Sequence, residues 1–294
     1  MNGQDLKNYV EQNPSLVSKM DAGDDLFVVK YRRRVFFDNL WNDYLEECRG
    51  LVIDRDWNPV VRPFKKVYNY GERGTTLDRD CVVYAERKVN GFMGAATWVS
   101  SIGRVVYSTT GSLTSDFARM TERWLSAYTE VFRSMPDVTF LFEICDSTDP
   151  HIIPEAEGAY LIGMRQAGSW MVGVRSANSP MLDRYAELMP GVMRPEHKMC
   201  RFSDVVQEMK SCRHEGYIVY PVDRWETEAG LKIKSQYYLV QKAIARRRDI
   251  FSLNRQQVDE EYYPLLDAIR AEGDEFTRLN EQDRLTWIRE YFKG

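Results

Sequence analysis

The spacing of apolar positions changes once along this chain, near residue 241. Before that point they gather in short runs separated by turn residues; after it they recur at helical intervals. Residues 1–20 read as a short helix followed by polar sequence. Between 27 and 107 the runs are strand-like, with 51–54 and 56–61 forming two strands around a turn and 81–84 and 94–99 two more. Residues 114–135 carry Phe117, Met120, Trp124, Leu125, Tyr128 and Phe132 at helical spacing. Strand-like runs return at 138–144, 160–164, 170–174, 217–220 and 231–233. In the last segment Ile250 and Leu253, then Tyr262, Leu265, Leu266 and Ile269, then Leu285, Ile288 and Phe292 mark helices. The pattern predicts a mixed α+β domain over 1–241 and a small helical domain over 242–294.

Composition supports a folded chain of that size. Of 294 residues, 44% are hydrophobic and 13% aromatic, enough to bury one large core and a smaller one. The net charge is -4, whereas nucleic-acid binders commonly carry a basic excess. Any such contact must come from local clusters: Arg32-Arg33-Arg34, Lys65-Lys66 or Arg246-Arg247-Arg248. The five cysteines (Cys48, Cys81, Cys145, Cys200, Cys212) include no CxxC pair, which points to reduced thiols rather than a disulfide framework or a zinc ribbon. His151, His197 and His214 lack metal-ligand spacing. No apolar leader or bilayer-length run is present, so a soluble cytoplasmic protein with no membrane partner is expected.

Five short segments carry candidate chemistry, and each has a plainer structural explanation. Glu86-Arg87-Lys88-Val89-Asn90-Gly91 places a lysine before an Asn-Gly turn; Asn-Gly is also the strongest signal for a two-residue β-hairpin flanked by solvated lysines. Leu231-Lys232-Ile233-Lys234-Ser235 puts two lysines on one strand face, either a phosphate cradle or a solvated edge. Glu143 lies inside the apolar run 139–144, and Glu215 stands just before another at 216–220. A carboxylate there is costly unless it is paired, bound to a metal or bonded to a ligand hydroxyl. In Glu47-Cys48-Arg49-Gly50-Leu51-Val52 the arginine either grips a phosphate in two parallel hydrogen bonds or is a surface residue at a turn.

Taken together and in this order, these segments resemble the covalent nucleotidyltransferases, the superfamily of ATP-dependent RNA and DNA ligases and mRNA capping enzymes. Lys88-Val89-Asn90-Gly91 is similar to the nucleotidyl-lysine motif Lys-x-Asp-Gly, Phe142-Glu143-Ile144 to the third motif, Glu215-Gly216-Tyr217-Ile218-Val219 to the fourth and Leu231-Lys232-Ile233-Lys234 to the fifth. Within the superfamily the chain resembles the phage RNA ligase 1 family most, through Glu47-Cys48-Arg49-Gly50-Leu51 followed by Arg62-Pro63-Phe64-Lys65-Lys66-Val67-Tyr68-Asn69. The likeness covers about residues 27–242. It departs at Asn90, where the motif has aspartate, and in Thr109-Thr110-Gly111-Ser112, where the family has a lysine before the glycine.

The resemblance implies an α+β nucleotidyltransferase domain, ATP-grasp-like, built of antiparallel sheets and helices and followed by the small helical C-terminal domain. It implies a monomeric ATP-dependent RNA ligase that joins 5′-phosphate and 3′-hydroxyl RNA ends in RNA repair, with broken tRNA and a bacteriophage origin (hence a host cytoplasm) as its setting. Lys88 would take AMP from ATP as lysyl-AMP and pass it to the RNA end as RNA-adenylate. Lys232 and Lys234 would complete the catalytic set, as cations that help Lys88 lose its proton and that neutralise the α-phosphate. Arg49 and Lys66 would contact the ATP phosphates, Tyr68 would pack against the nucleotide or its surroundings, and Asn90, Gly91 and Glu143 would shape the nucleotide site, Glu143 bonding the ribose. Glu215 would face Mg2+, which suits hard oxygen ligands. The C-terminal segment, starting at Lys242 and Arg246-Arg247-Arg248, would contribute RNA specificity. The competing readings are a catalytically inactive RNA-end-binding protein, suggested by Asn90 and Thr110, and a capping guanylyltransferase or DNA ligase. The last two usually carry an OB-fold after the fifth motif, where this chain is helical.

Overall fold

Asn2 opens the first helix, α1 (Gly3–Gln12): its side chain accepts from the Asp5 N–H at 2.8 Å while the Asp5 carboxylate accepts from the Asn2 N–H at 3.2 Å. Leu6 and Val10 on its inner face are buried against a four-stranded antiparallel sheet of β1 (Val17–Asp21), β2 (Phe27–Tyr31), β3 (Arg49–Ile53) and β4 (Pro59–Val61), paired in that order. Helices α2 (Arg33–Phe37) and α3 (Asp43–Glu47) link β2 to β3. The expected turn between β3 and β4 is present, tied by Asp54, whose Oδ1 accepts from the N–H groups of Asp56 and Asn58 at 2.9 and 2.8 Å. The polar stretch after α1 is an edge strand, β1; its outer residues face solvent, so no alternation announced it. The computed structural model describes residues 1–170, 179–222, 230–247 and 262–292.

A second sheet gathers β5 (Val82–Arg87) with three distant strands, β10 (His197–Arg201), β11 (Gly216–Pro221) and β12 (Leu231–Lys234), in the order β10–β5–β11–β12. The third runs β7–β6–β8–β9, from β6 (Phe92–Val99), β7 (Arg104–Thr109), β8 (Val138–Cys145) and β9 (Gly158–Gln166). One face of this third sheet packs on the first through Val28, Val52, Val61, Ala95 and Leu141. Its other face packs on helices α4 (Asp116–Leu125), α5 (Thr129–Ser134) and α6 (Ser179–Glu187) through Leu125, Phe132, Phe140 and Leu182. The helical stretch predicted at 114–135 is thus two helices, broken by a single 3-10 turn at Ser126–Tyr128. Helix α7 (Phe202–Glu208) covers the second sheet with Phe202 and Val205.

The C-terminal helices are α8 (Gln236–Arg246), α9 (Tyr263–Glu272), α10 (Asp274–Arg278) and α11 (Glu281–Tyr291). Val240, Ile244, Leu265, Leu266, Ile269, Phe276 and Ile288 form their shared core. The 241/242 division expected from the sequence falls inside α8, which contributes to that core from both sides of it. A second contact ties this region to the sheets: Tyr238, Ala245 and Leu285 pack on Ile152 and Ile153, and the Arg289 guanidinium donates to the carbonyls of His151 and Ile152 at 3.0 and 2.9 Å. The expected strand at 170–174 beyond Trp170, the expected helix at Ile250 and Leu253, and Arg248 lie outside the described residues.

Candidate active site

Strands β5 and β6 do not form the hairpin that the Asn-Gly pair allows. They belong to different sheets, and Lys88-Val89-Asn90-Gly91 is the crossing between them. Tertiary pairing outweighs the local turn preference here. Arg87 is the last residue of β5 and pairs with Tyr217 of β11, and the Lys88 N–H then donates to the Gly216 carbonyl at 2.8 Å. On the far side Gly91 lies so close to β8 that a Cβ would collide with the Ile144 carbonyl. Gly216 has φ +133, and a Cβ there would collide with the Ile233 carbonyl of β12. Both motif glycines therefore keep neighbouring backbones close around the lysine.

The strand register brings the motif side chains together. Gly216 pairs with Lys234 and Ile218 with Lys232, so Glu215, just before β11, meets the end of β12. Its carboxylate is buried and fully engaged: Oε2 accepts from Lys88 Nζ at 2.9 Å and Asn90 Nδ2 at 2.7 Å, and Oε1 pairs with Lys234 Nζ at 3.0 Å. Burial would raise the Glu215 pKa, but the ammonium groups of Lys88 and Lys234 outweigh it and hold it below the ordinary value. Glu143, from β8, accepts from the Gly91 N–H at 3.1 Å; burial pushes its pKa up despite Lys88 nearby.

Asn90 explains its own departure from the aspartate of the motif. Its amide donates to Glu215, and its Oδ1 accepts from the Ile153 N–H at 2.9 Å. An aspartate in this place would turn a second carboxylate on Glu215. Truncating it with Asn90→Ala strands a buried N–H and removes a donor from a buried carboxylate, so stability is expected to fall by about 1–3 kcal/mol in urea denaturation. An unchanged midpoint would show that neither bond matters.

Lys88, Glu143, Glu215, Lys232 and Lys234 line a cavity of about 460 Å³ between the sheets; Asn90 and Gly91, expected at the nucleotide site, stand outside its lining and act from behind it. Arg49, Lys88, Lys232 and Lys234 give it a cationic side, while Phe64, Val89, Phe92, Met93 and Ile162 give it an apolar wall. The electrostatics differ from the expected pattern, in which neighbouring cations deprotonate Lys88. Burial does favour the neutral amine, but Glu143 and Glu215 prevail and raise the Lys88 pKa. Lys232 is the ammonium pushed down, to about 7, by burial and by Arg49, Lys66, Lys234 and Lys88 around it. Arg49 opens β3, donates to the Lys65 carbonyl at 2.9 Å and lines the cavity, as does Thr110. Lys66 and Tyr68 stand outside the lining. Lys66 Nζ is paired with Glu72 at 2.9 Å and lies 4.5 Å from the Tyr68 ring centroid, while the Tyr68 hydroxyl donates to Glu46 at 2.6 Å. The apolar wall was not foreseen: Phe64 and Val89 stand in motif strings without that role, and Phe92, Met93 and Ile162 are ordinary strand residues until the sheets meet.

In its fold the chain is similar to an archaeal ATP-dependent RNA ligase solved in two forms. Against one form the TM-score is 0.60 at 15% identity, and against the other 0.59 at 18%; each match covers 95% of this chain and 75% of that one. It is equally similar to a putative ATP-dependent DNA ligase from Aquifex aeolicus, with a TM-score of 0.60 at 13% identity, covering 93% of this chain and 74% of that one. The fold is therefore the one these solved ligases share, an α+β arrangement of antiparallel sheets and helices with a small helical region at the C-terminal end. By its sequence the chain belongs to the RNA ligase family, whose model matches residues 47–239. The comparison with curated proteins gave no match.

Proposed function

We propose that this RNA ligase is ATP-dependent and works through Lys88. The observation that carries the reading is the Lys88 amine held 2.9 Å from Glu215 in a cavity whose cations suit a triphosphate and whose apolar wall suits a base. Lys88 Nζ attacks the α-phosphorus of ATP; a P–N bond forms, the bond to the bridging oxygen breaks and pyrophosphate leaves. Lys88 attacks as the neutral amine, the form that burial favours, so its proton leaves before the P–N bond forms, and Glu215 Oε2 positions the amine. AMP then passes to a 5′-phosphate RNA end, and a 3′-hydroxyl displaces it. Lys232 and Lys234 balance charge on the phosphates, Arg49 contacts them from β3, and Lys66 and Tyr68 support that wall from behind. Glu143 holds the Gly91 turn through its N–H and offers its other oxygen to the ribose.

A magnesium ion fits this donor set. No group of three His, Cys, Asp or Glu side chains is arranged to hold a metal among the described residues, and Mg2+ habitually takes one or two carboxylates and completes its shell with phosphate oxygens and water. Glu215 would hold it, and the bound ion would supply neutralisation of phosphate charge. No helix among the described residues is long and apolar enough to cross a membrane. We place the adenylyltransferase unit at 1–241 and an RNA-specificity unit at 242–294, acting as a monomer in RNA repair; the phage-type resemblance points to broken tRNA in a host cytoplasm.

Incubation with α-labelled ATP and Mg2+ and without RNA, followed by a denaturing gel, tests the reading. A labelled protein band with ATP and none with GTP is expected. A folded protein that is free of prior AMP and takes no label would overturn it in favour of an RNA-end-binding protein without catalysis.

A further inference from the structure

Helix α2 places its hydrophobic residues against expectation. Only Val35 is buried; Phe36 is 59% exposed and Phe37 75%, their rings edge to face at 5.8 Å, and Leu40 follows at 38%. Leaving two phenylalanines in water forgoes the gain of burying them, and Phe37 is the most exposed large hydrophobic residue among those described. Arg32, Arg33 and Arg34 precede them, all exposed. Arg32 Nε donates to the Pro14 carbonyl, and Arg34 makes only a solvent-exposed pair with Asp38 at 3.0 Å, the weak kind. The side chain of Arg33 has no hydrogen-bond or ion-pair partner among the described residues. The stretch is locally basic on a chain of net charge -4.

The patch adjoins the candidate active site. Tyr31, just before it, interacts electrostatically with the cavity residue Arg49, and its ring meets Trp41 at 4.7 Å. Lys66 Nζ lies 5.4 Å from the ring centroid of Trp41. Lys30, on β2, brings its amine against Gly111, beside the cavity residue Thr110: a Cβ on Gly111 would stand 2.6 Å from Lys30 Nζ. Lys30 thus sets a positive charge beside the cavity, three residues before Arg33 along the chain. Exposed aromatic rings interleaved with arginines match single-stranded nucleic acid, in which bases stack on rings and phosphates meet guanidinium groups.

We infer that the α2 surface is an RNA-docking site, where Phe36 and Phe37 stack on unpaired bases and Arg33 and Arg34 hold phosphates of the strand next to the end being joined. The inference rests on the ligase reading for its substrate. The occupant is RNA rather than a protein because the rings stand among like-charged arginines, which a polyanion neutralises.

The test is fluorescence anisotropy with a short single-stranded 5′-phosphate RNA across a salt series, using the full chain. Phe36→Ala/Phe37→Ala is expected to weaken binding roughly 5- to 150-fold for each base that loses its stacking partner, with the salt slope unchanged. Arg33→Ala/Arg34→Ala is expected to make the slope of log K against log salt shallower by about 1.4, the contribution of two phosphates on a single strand. Both variants keep AMP labelling without RNA, because neither touches the cavity. Unchanged affinity and slope in both overturns the inference. So does a wild-type dimer in sedimentation that the phenylalanine variant breaks at unchanged RNA affinity, since the face then serves a second copy. A wild-type protein that binds RNA through α2 but takes no AMP defeats the ligase reading alone.

Discussion

Lys88→Ala is expected to lose covalent AMP labelling altogether, a fall of at least ~10⁴-fold, the scale seen when a nucleophile is removed. Neither β12 lysine stands in the Lys-x-Asn-Gly string, so neither is expected to take its place. Lys234 is committed to Glu215 Oε1 at 3.0 Å, and Lys232 stands on the same face of β12 two residues earlier. Lys88→Arg is expected to fail as well, since a guanidinium keeps its proton and cannot attack. The fold survives the alanine change, because Glu215 retains Lys234 and Asn90 as partners. Such a protein should still join a chemically adenylylated RNA to a 3′-hydroxyl, the lysine having no bond to form in that step. A gel with α-labelled ATP, run beside a joining assay with pre-adenylylated RNA, reads both. A labelled Lys88→Ala band would remove the lysine from the mechanism.

Glu47→Ala is expected to cost about 3–5 kcal/mol of stability, the usual result of removing one partner from a buried ion pair. Glu47 is 1% exposed and serves two buried arginines: Arg62 Nη2 and Arg165 Nη2 donate to its Oε1 at 2.9 and 3.1 Å. Lys65 adds a more distant contact at 3.5 Å. The alanine leaves two guanidinium groups buried without their counter-ion, next to the start of β3 where Arg49 is held. The same network predicts a pH dependence. Burial raises the Glu47 pKa, but Arg165 and Arg62 outweigh it and bring it from 4.5 down to about 2. A depressed carboxyl stabilises the fold above its unfolded value, and the contribution, about 3 kcal/mol, is lost as pH falls from 4.5 towards 2. Urea denaturation of wild type and Glu47→Ala at pH 7 and pH 3 measures both. Equal midpoints at pH 7 would mean the arginines find other partners; a gap that fails to narrow at pH 3 would refute the titration argument.

Much of the fold was legible because apolar spacing is a local property. The strands around Leu51 and Val60, the run through Phe140 and Phe142, and the helices carrying Leu265, Ile269, Leu285 and Ile288 all announce themselves by the faces they bury. Elements whose side chains stay in water did not. Strand β10 keeps four of its five residues exposed, and α2 buries only Val35, so neither shows a period.

The candidate chemistry divides in the same way. Sequence by itself determined which residue types are present and in what order, and hence the family: Lys88, Glu143, Glu215, Lys232 and Lys234 all stand in motif strings. Only the tertiary structure decided what each touches. Ionisation depends on the distance between charges and on burial, and both are set by strand pairing across long separations of chain. Lys88 pairs with Glu215, 127 residues away, so its ammonium is favoured by a carboxylate, while Lys232 sits among cations and is pushed to about 7. Asn90 stands where the family motif has an acid. Once Glu215 and the Ile153 N–H are placed, it is a donor and acceptor at a position that needs one of each.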